Sequence, residues 1–322
     1  MARHLRPLPL GTVVTHVTVV THVTFVIHVT FVSKELIMTT TFETPVLRTH
    51  FEKSVAAYWN TNQEDPVNLR LGEVDGLFHH HYGVGGYDPS VLEGPAETRD
   101  QRIINELHRL ESAQADLLLD HLGPLGPDDK VLDGGSGRGG TSIMANRRFG
   151  CEADGVSISE YQVGFANDQA ARRGVSDKVR FHFRNMLQTE LPTASRQAIW
   201  TNETTMYVDL GDLYREFARV LDFGGRYVCI TGCANDVTGL RSKAVSKINE
   251  HYTCDIHPRS AYFKALAENG LVPINVVDLT AATIPYWQLR AKSSVATGIE
   301  EAFLTAYQEG SFHYLLIAAD RA

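Results

Sequence analysis

A glycine-rich stretch at residues 131–140 constrains the fold of this chain more than any other feature of its sequence. It reads Val-Leu-Asp-Gly-Gly-Ser-Gly-Arg-Gly-Gly and continues a short apolar segment that begins at Lys130. Glycine lets the backbone turn sharply and approach a ligand without interference from a Cβ atom. Because residues 141–149 have a helical pattern, the turn lies between a strand and a helix, where open α/β sheets bind nucleotides.

Two cofactor classes use such a turn. Gly135, Gly137 and Gly140 satisfy the G-x-G-x-x-G pattern of dinucleotide enzymes. Asp133, Gly135, Gly137 and Gly139 instead match acid-x-Gly-x-Gly-x-Gly, the order typical of enzymes that use S-adenosylmethionine (SAM). A carboxylate at Asp133 would repel a pyrophosphate but suits the ammonium group of an amino acid. The stretch therefore favours SAM over NAD, with a purely structural turn as the third interpretation.

Composition excludes several classes of protein. The chain has 322 residues, of which 43% are hydrophobic and 21% charged, and a formal net charge of -8. This length allows one large domain or a core with a cap. The negative charge offers no basic face for nucleic acid, and no apolar run reaches the ~18 residues that a membrane span needs. We therefore expect a globular protein that acts on a small molecule, with no nucleic-acid partner and no membrane span.

The cysteines indicate a reducing compartment. They show neither C-x-x-C pairing nor the spacing of zinc ligands, and we expect them to be small buried hydrophobic residues. The predicted localisation is therefore cytoplasmic. The four residues are Cys151, Cys229, Cys233 and Cys254.

Residues 1–41 differ from the rest of the chain. A short unit containing His-Val-Thr recurs there, with histidines at His16, His22 and His28. These histidines could form a metal-binding strip, but a low-complexity leader without a packed partner is the preferred interpretation, and we predict disorder. The segment lacks the cleavage site and continuous apolar run of a secretory signal. Because Met38 resembles an ordinary start, we expect residues 1–37 to be dispensable for activity.

Residues 42–125 are predicted to form a helical cap that binds substrate. Helical periodicity runs through residues 46–59 and 96–122, whereas residues 66–72 are predicted to form a loop that carries Asn68 and Arg70. A block of three histidines, at residues 79–81, precedes a tyrosine and flexible glycines. Side chains adjacent in sequence point in different directions, so the block favours phosphate contacts or the lining of an active site over a zinc centre.

Strands and helices alternate through residues 126–322, which predicts a mostly parallel sheet with helices on both faces. A lid insertion is expected at about residues 233–270, and a long helix at residues 284–309. The second core strand has no acid at its tip, which weakens the NAD interpretation, but hydrogen-bonding groups follow it. The predicted cofactor contacts beyond the glycine turn lie at strand ends: Ser157, Gln162, Asn185, Met186 and Asn202.

The exit of the fourth core strand carries a carboxylate, Glu203. In class I methyltransferases this strand delivers groups to the reacting carbon, and the Asn-Pro-Pro-Tyr or Asp-Pro-Pro-Tyr motif of DNA and protein-amide enzymes is absent here. Within a dry pocket a carboxylate would act as a base or stabilise a cation more strongly than in water. A salt-bridged surface glutamate is the alternative. The predicted fold class is α/β, a Rossmann-like class I SAM methyltransferase with a seven-stranded sheet and an N-terminal helical cap.

Several further motifs resemble one enzyme family. The stretches at residues 68–72, 79–83, 202–210 and 224–228 are similar to the actinobacterial geranyl diphosphate 2-C-methyltransferases. Those at residues 279–280, 285–287 and 311–321 extend the resemblance to the end of the chain, so that it covers about residues 55–322. A weaker similarity links the core to cyclopropane fatty acid synthases and sterol methyltransferases, which also methylate alkene carbons.

The resemblance implies SAM-dependent methylation of geranyl diphosphate at C2, with Mg²⁺ on the diphosphate. The product would be (E)-2-methylgeranyl diphosphate, the first step towards 2-methylisoborneol. Methylation at C2 leaves a tertiary cation at C3, which aromatic faces stabilise. Tyr82 and Tyr252 are the candidates for that role, and Tyr252 stands where the family is expected to have phenylalanine. Loss of the C2 proton needs a base, and we assign it to Glu203.

The diphosphate needs cations and hydrogen-bond donors. By resemblance and residue type, the candidates are Asn68, Arg70, His80, His81 and Tyr207. Mg²⁺ prefers oxygen ligands and retains waters, so substrate and waters are expected to supply most of its shell, and no protein ligand is assigned. Three other functions stay open: methylation of a lipid or sterol alkene, NAD-dependent oxidation, and SAM binding without catalysis. A homo-oligomer also stays open.

Overall fold

The computed structural model describes residues 14–17, 25–32, 35–42, 45–63, 65–237 and 242–322. The chain divides into two compact units, Met1–Arg48 and Thr49–Ala322. None of the described helices combines the length and apolarity needed to cross a membrane.

The described residues of the first unit form a three-stranded antiparallel sheet. Its strands are β1 (Val14–Val17), β2 (Phe25–Val32) and β3 (Glu35–Phe42), in the order β1-β2-β3. These strands differ from the disorder predicted for residues 1–41, because the β-branched Val and Thr that fill the repeat favour extended backbone. The histidine side chains of the suggested metal strip lie outside the described residues, and the dispensability of the segment stays a prediction.

The second unit opens with helices. These are α1 (His50–Thr61), α2 (Pro66–Gly72), a short 3-10 helix (Pro89–Leu92) and α3 (Ala96–Asp120). The predicted loop at residues 66–72 is wrong, since that segment is α2. Its start is explained by Asp65, whose carboxylate accepts from the backbone N–H of Val67, and by a proline at the first helical position.

The described residues that follow form a seven-stranded sheet and seven further helices. The strands are β4 (Lys130–Gly134), β5 (Glu152–Ser157), β6 (Val179–Phe183), β7 (Arg196–Asn202), β8 (Leu221–Ala234), β9 (Leu271–Asp278) and β10 (Phe312–Arg321). The helices are α4 (Gly140–Phe149), α5 (Glu160–Arg172), α6 (Leu210–Val220), α7 (Lys243–Tyr252), α8 (Arg259–Glu268), α9 (Thr280–Arg290) and α10 (Glu300–Gln308). A second 3-10 helix spans Thr205–Tyr207.

The strand order is β6-β5-β4-β7-β8-β10-β9. Pairing is parallel from β6 through β8, and β10 pairs antiparallel with both of its neighbours. Neighbouring residues of one strand belong to different hydrophobic clusters, as Val131 and Leu132 do, because successive side chains point to opposite faces. The sheet is therefore buried on both faces, and the predicted mostly parallel α/β fold is confirmed.

The C-terminal part of this unit differs from the prediction in one place. The helix predicted at residues 284–309 is two helices, α9 and α10, separated by residues 291–299. Gly298 in this connection has φ of +87°, a conformation that interrupts a helix. Between β8 and β9 lie α7 and α8, within the predicted insertion. The predicted cap and core boundaries stay predictions, since residues 49–322 form one compact unit.

Candidate active site

The glycine turn after β4 has a backbone that requires glycine. Gly135, Gly137 and Gly139 have φ of +83°, +53° and +86°, a region that L side chains disfavour. A Cβ atom at Gly135 would lie 2.2 Å from Thr204 Oγ1. Gly139 is absent from the lining of the adjoining cavity, and its contact with a cofactor stays a prediction. It is the N-cap of α4, and a Cβ there would lie 2.5 Å from Phe181.

A cavity, here called the glycine cavity, opens beside this turn. Because parallel strands end at the same edge of a sheet, the ends of β4, β5, β6 and β7 meet there. Seven of the nine predicted cofactor contacts line it: Gly135, Gly137, Ser157, Gln162, Asn185, Met186 and Asn202. The sequence pattern therefore brought these residues to one place, and their contact with a cofactor stays a prediction.

One carboxylate in the glycine cavity was missed by the sequence analysis. Glu52, on α1, lines the cavity and is 4% exposed. Its Oε1 accepts from Asn185 Nδ2 over 2.7 Å, and its Oε2 accepts from the backbone N–H of Thr49 over 2.8 Å. In the sequence, Glu52 matches a capping box with Thr49 at the start of α1, and this helix-capping role is enough to explain a glutamate there. The pattern gives no sign that Glu52 also lines a cavity.

Asp133, the acid of the turn, lies apart from the glycine cavity. It borders a smaller cavity that also contacts Gly135, Gly137 and His79. Its carboxylate accepts from the Ser142 hydroxyl over 2.6 Å. Burial raises the pKa of Asp133 to about 7, and the Ser142 hydrogen bond opposes that rise.

A second cavity, here called the aromatic cavity, adjoins the first. Tyr82 and Tyr252 line it, and their ring centroids lie 6.5 Å apart. The ring of Tyr82 also contacts Trp287, at 4.6 Å between centroids, and Phe303, at 5.0 Å. Clustered rings of this kind present π faces suited to a developing positive charge. The two predicted tyrosines are thus brought together.

Glu203 lies at the junction of the two cavities and lines both. It directly follows β7 and has φ of +54°, a conformation rare for a residue other than glycine. The side chain is 9% exposed, and neither carboxylate oxygen makes a hydrogen bond to the described residues. Burial raises the pKa of Glu203 to about 8, against a smaller lowering by the Tyr314 hydroxyl. The predicted surface salt bridge, the alternative for this residue, is therefore wrong.

Neutral donors line the polar part of the aromatic cavity. Burial lowers the pKa of His80 to about 3 and that of His81 to about 4, so both rings are uncharged at neutral pH. His80 packs edge-on against Trp59, at 5.3 Å between ring centroids. Tyr207 lines both cavities, and its hydroxyl donates to the Tyr252 carbonyl over 3.4 Å. These groups can donate hydrogen bonds but supply no positive charge.

The arginine that lines the aromatic cavity is Arg290, whereas the sequence analysis predicted Arg70. Arg70 is absent from the lining of both cavities, and its guanidinium forms an ion pair with Asp100. Because α2 is a helix, Arg70 and Asn68 point in different directions, and only Asn68 lines the cavity. Arg290, on α9, lines it instead and pairs with Glu300 at 3.0 Å. No sequence pattern distinguished Arg290 from the other polar residues of its helix.

Hard oxygen ligands are also available in the aromatic cavity. Asp65 and Asn68 both line it, and the Asn68 amide donates to the Asp65 carboxylate, which leaves the Asn68 carbonyl oxygen as an acceptor. Among the described residues, no group of three or more His, Cys, Asp or Glu side chains has the arrangement of a metal site. One carboxylate and one amide oxygen fit Mg²⁺ that is held mainly by a phosphate ligand and waters.

Sheet order, glycine turn and cavity together define a class I SAM-dependent methyltransferase. A family model described as "Methyltransferase domain" matches residues 131–225. The geranyl diphosphate 2-C-methyltransferase of Saccharopolyspora erythraea is 64% identical over 271 residues, which cover 84% of this chain and 95% of that protein. The chain belongs to the family of geranyl diphosphate 2-C-methyltransferases.

Two further comparisons agree with this assignment. The geranyl diphosphate 2-C-methyltransferase of Streptomyces ambofaciens is 53% identical over 291 residues, covering 90% of this chain and all of that protein. The crystal structure of geranyl diphosphate C-methyltransferase from Streptomyces coelicolor is 53% identical, with a TM-score of 0.84, and covers 86% of this chain and 100% of that one. That crystal contains Mg²⁺, geranyl-S-thiolodiphosphate and S-adenosyl-L-homocysteine.

Proposed function

We propose that this protein transfers the methyl group of SAM to C2 of geranyl diphosphate and releases (E)-2-methylgeranyl diphosphate. The observation that carries the proposal is the position of Glu203, a buried residue that lines both the glycine cavity and the aromatic cavity. A group at that junction can reach the atom that receives the methyl group. Membership of the family and the crystallised complex of the Streptomyces coelicolor protein support the same substrates.

The glycine cavity fits SAM. Gly135 and Gly137 allow the backbone to approach the cofactor closely. Ser157, Gln162 and Asn185 offer hydrogen-bonding groups around a nucleoside. The second core strand ends without an acid, and the Glu52 carboxylate provides a buried acceptor for a donor of the nucleoside instead.

The aromatic cavity fits geranyl diphosphate. Arg290 supplies positive charge for the diphosphate, and Asn68 and the neutral histidines add polar contacts. When bound, Mg²⁺ would neutralise part of the diphosphate charge, with Asp65 and Asn68 as the residues that could hold it. Met206, Ile256 and Phe312 provide apolar surface for the prenyl tail.

The residues at the junction then perform three tasks. The two cavities hold the alkene of the substrate in line with the sulfonium methyl group, so the reacting atoms are already positioned when both ligands are bound. They also exclude water from the reacting atoms. As the C2–methyl bond forms and the S–methyl bond breaks, the faces of Tyr82 and Tyr252 stabilise the tertiary cation at C3, by roughly 0.5–2 kcal/mol for each favourable contact. The Glu203 carboxylate accepts the C2 proton, and the electrons of that C–H bond restore the alkene.

Incubation with methyl-labelled SAM and a panel of acceptors tests the proposal. Label should enter geranyl diphosphate in the presence of Mg²⁺, and incorporation should fall when Mg²⁺ is chelated. Magnesium-independent label in a lipid or sterol would favour the alternative alkene methyltransferase. Binding of SAM without label in any acceptor would favour a non-catalytic module, and affinity for NAD without affinity for SAM would favour an oxidoreductase.

A further inference from the structure

The connection between α9 and α10 joins the arginine of the aromatic cavity to a second buried charge. Arg290 ends α9 and Glu300 begins α10, and the two residues are 4% and 2% exposed. Nε of Arg290 lies 3.0 Å from Oε1 of Glu300. The guanidinium also lies over the ring of Trp287, with Cζ 5.2 Å from the ring centroid. Glu300 therefore compensates the charge of Arg290 inside the protein, where an unpaired charge is strongly disfavoured.

The same carboxylate fixes the turn before α10. Its Oε1 accepts from the backbone N–H of Thr297 over 3.1 Å, and its Oε2 accepts from the backbone N–H of Gly298 over 2.8 Å. Thr297 lines the aromatic cavity, and its hydroxyl oxygen accepts from Nη2 of Arg290 over 3.4 Å. Arg290, Thr297 and Glu300 form one unit, here called the arginine clamp, although they lie on two helices and the turn between them.

The contacts of the arginine clamp leave one edge of the guanidinium for a ligand. Glu300 lies at Nε and Thr297 accepts from Nη2, so both partners lie along the same edge. The remaining hydrogens, on Nη1 and Nη2, define the adjacent edge, which offers two donors in one plane. Such a pair of donors matches two oxygens of a phosphate group. An anionic ligand in the aromatic cavity can therefore bind this edge without displacing Glu300 or Thr297.

Helix capping alone does not account for Glu300. A carboxylate that accepts from N–H groups in front of a helix stabilises its N-terminus, and Glu301 carries the same charge on the surface of the first turn of α10. Glu300 differs because it is buried and paired with a residue of the cavity lining. Arginine has several rotatable bonds whose freedom is lost when it binds a ligand. A clamp that holds the side chain beforehand reduces that cost.

We propose that Glu300 is a positioning residue for substrate binding, which holds Arg290 through the arginine clamp so that the Nη1–Nη2 edge meets the diphosphate. Glu300 is absent from the lining of the aromatic cavity, so it acts through Arg290. The role rests on the proposed function, in which geranyl diphosphate occupies this cavity. It assigns Glu300 and Thr297 to substrate affinity and gives them no part in methyl transfer.

Steady-state kinetics distinguish this role from a general loss of structure. Glu300→Gln keeps the size of the side chain and leaves Arg290 without a compensating charge. The KM for geranyl diphosphate should then rise by about tenfold or more, the effect of weakening hydrogen bonds to a charged group. The kcat should stay within about threefold of the wild-type value, because the lost binding is uniform. Glu301→Gln is the matched control and should change neither constant. An unchanged or lower KM in Glu300→Gln would overturn the proposal.

A second variant keeps the test decisive if Glu300→Gln fails to fold. Thr297→Val preserves the shape of an exposed residue and removes the acceptor of Arg290 Nη2, so KM should rise by about 2- to 10-fold. If both residues act through Arg290, neither Thr297→Val nor Glu300→Gln should raise KM further in the Arg290→Met background. Arg290→Met with Glu300→Gln removes both buried charges together. Additive increases in KM would overturn the proposal, as would a wild-type KM in Thr297→Val.

Calorimetry without turnover makes the result independent of the methylation assay. The full-length protein is saturated with S-adenosylhomocysteine in the presence of Mg²⁺ and titrated with inorganic diphosphate. The affinity should fall by about tenfold in Glu300→Gln and match the wild type in Glu301→Gln. Equal affinities in wild type and Glu300→Gln, or no binding of diphosphate by the wild type, would refute the positioning role. Failure to methylate geranyl diphosphate, with the diphosphate affinity lowered as expected, would refute only the proposed function.

Discussion

The side-chain amide of Asn185 lies 2.7 Å from Glu52 Oε1 and links the end of the third core strand to the first helix of the second unit. A contact between residues so distant in the chain closes one side of the glycine cavity. It also places the first helix beside the glycine cavity, although the glycine-rich turn is about 80 residues further along the sequence.

Glu52→Gln should weaken the binding of SAM and of S-adenosylhomocysteine by about 10- to 100-fold, because a hydrogen bond to a charged group contributes about 1.5–3 kcal/mol. Isothermal titration calorimetry measures both affinities. Thr49→Ala is the matched control, since it removes the other half of the capping box and leaves the Glu52 carboxylate in the cavity. It should lower the free energy of unfolding by about 1 kcal/mol and leave both affinities unchanged. Equal loss of affinity in the two variants would contradict a cofactor role for Glu52.

Glu203→Gln should still bind SAM, without the contribution of the carboxylate to the affinity for the sulfonium, and should lose most turnover of geranyl diphosphate. The amide keeps the size of the side chain but cannot accept the C2 proton. General base catalysis contributes about 10²- to 10⁴-fold, so kcat should fall by about that factor in a steady-state assay with labelled SAM. An unchanged kcat would remove Glu203 from the role of base.

SAM binding should depend on pH in a way that S-adenosylhomocysteine binding does not. Burial raises the pKa of Glu203 to about 8, and the sulfonium charge of SAM should lower it again because opposite charges favour the ionised carboxyl. SAM affinity should therefore rise as pH increases from about 6.5 to 8.5, by about tenfold for each unit by which the pKa falls.

S-adenosylhomocysteine carries the same amino acid and nucleoside without the sulfonium, so the ratio of the two affinities isolates the charge. In Glu203→Gln this ratio should be independent of pH. A ratio that stays constant in the wild type would show that the carboxyl does not face the sulfonium.

Replacing Tyr252 by alanine should admit a longer prenyl chain. Its ring occupies the aromatic cavity beside Tyr82 and Phe303, at 6.5 Å and 6.3 Å between centroids. Removing the ring enlarges the cavity, and labelled SAM should then methylate farnesyl diphosphate. Tyr252→Phe, which keeps the ring and removes only the hydroxyl, should retain the preference for geranyl diphosphate. If farnesyl diphosphate fails to react with the alanine variant, Tyr252 does not border the tail.

Gly135→Ala should be destabilising, whereas Gly164→Ala should not. Gly135 combines φ of +83° with a Cβ position 2.2 Å from Thr204 Oγ1. The backbone alone costs about 1–2 kcal/mol, and the overlap adds to it, so the melting temperature and SAM affinity should both fall. Gly164 is helical with nothing near its Cβ position, and alanine there should raise stability by up to about 1 kcal/mol. Equal melting temperatures for the two variants would contradict the steric argument.

The sequence pattern was sufficient to predict those structural elements whose conformation depends on a single short segment of the chain. The apolar strand, the glycines and the helix after them predicted the turn, and the alternation of strands and helices predicted the sheet. The motifs at strand ends also predicted most of the glycine cavity, because parallel strands end at one edge. The predictions for residues 66–72 and 284–309 were wrong for local reasons. The first segment is a helix that starts at a proline, and the second contains Gly298, whose positive φ lies between two helices.

Contacts between side chains from distant segments could not be predicted from the sequence. Arg70 has the residue type that a diphosphate needs, yet Asp100 holds it away from the cavity. Arg290 belongs to no recognisable sequence motif, yet it lines the aromatic cavity because of the position of α9 in the fold. Residue type indicates what a side chain can do, and the packing of helices decides which side chain is in place to do it.

The sequence by itself determined the nucleotide-binding corner, the mostly parallel sheet and the carboxylate at the fourth strand's exit, since each depends on residues close together in the chain. Only the tertiary structure decided that Glu203 lies between two cavities and that Glu52 and Arg290 line them. The physical reason is that burial and hydrogen bonding depend on contacts across 88 to 200 residues of chain, which no local pattern encodes.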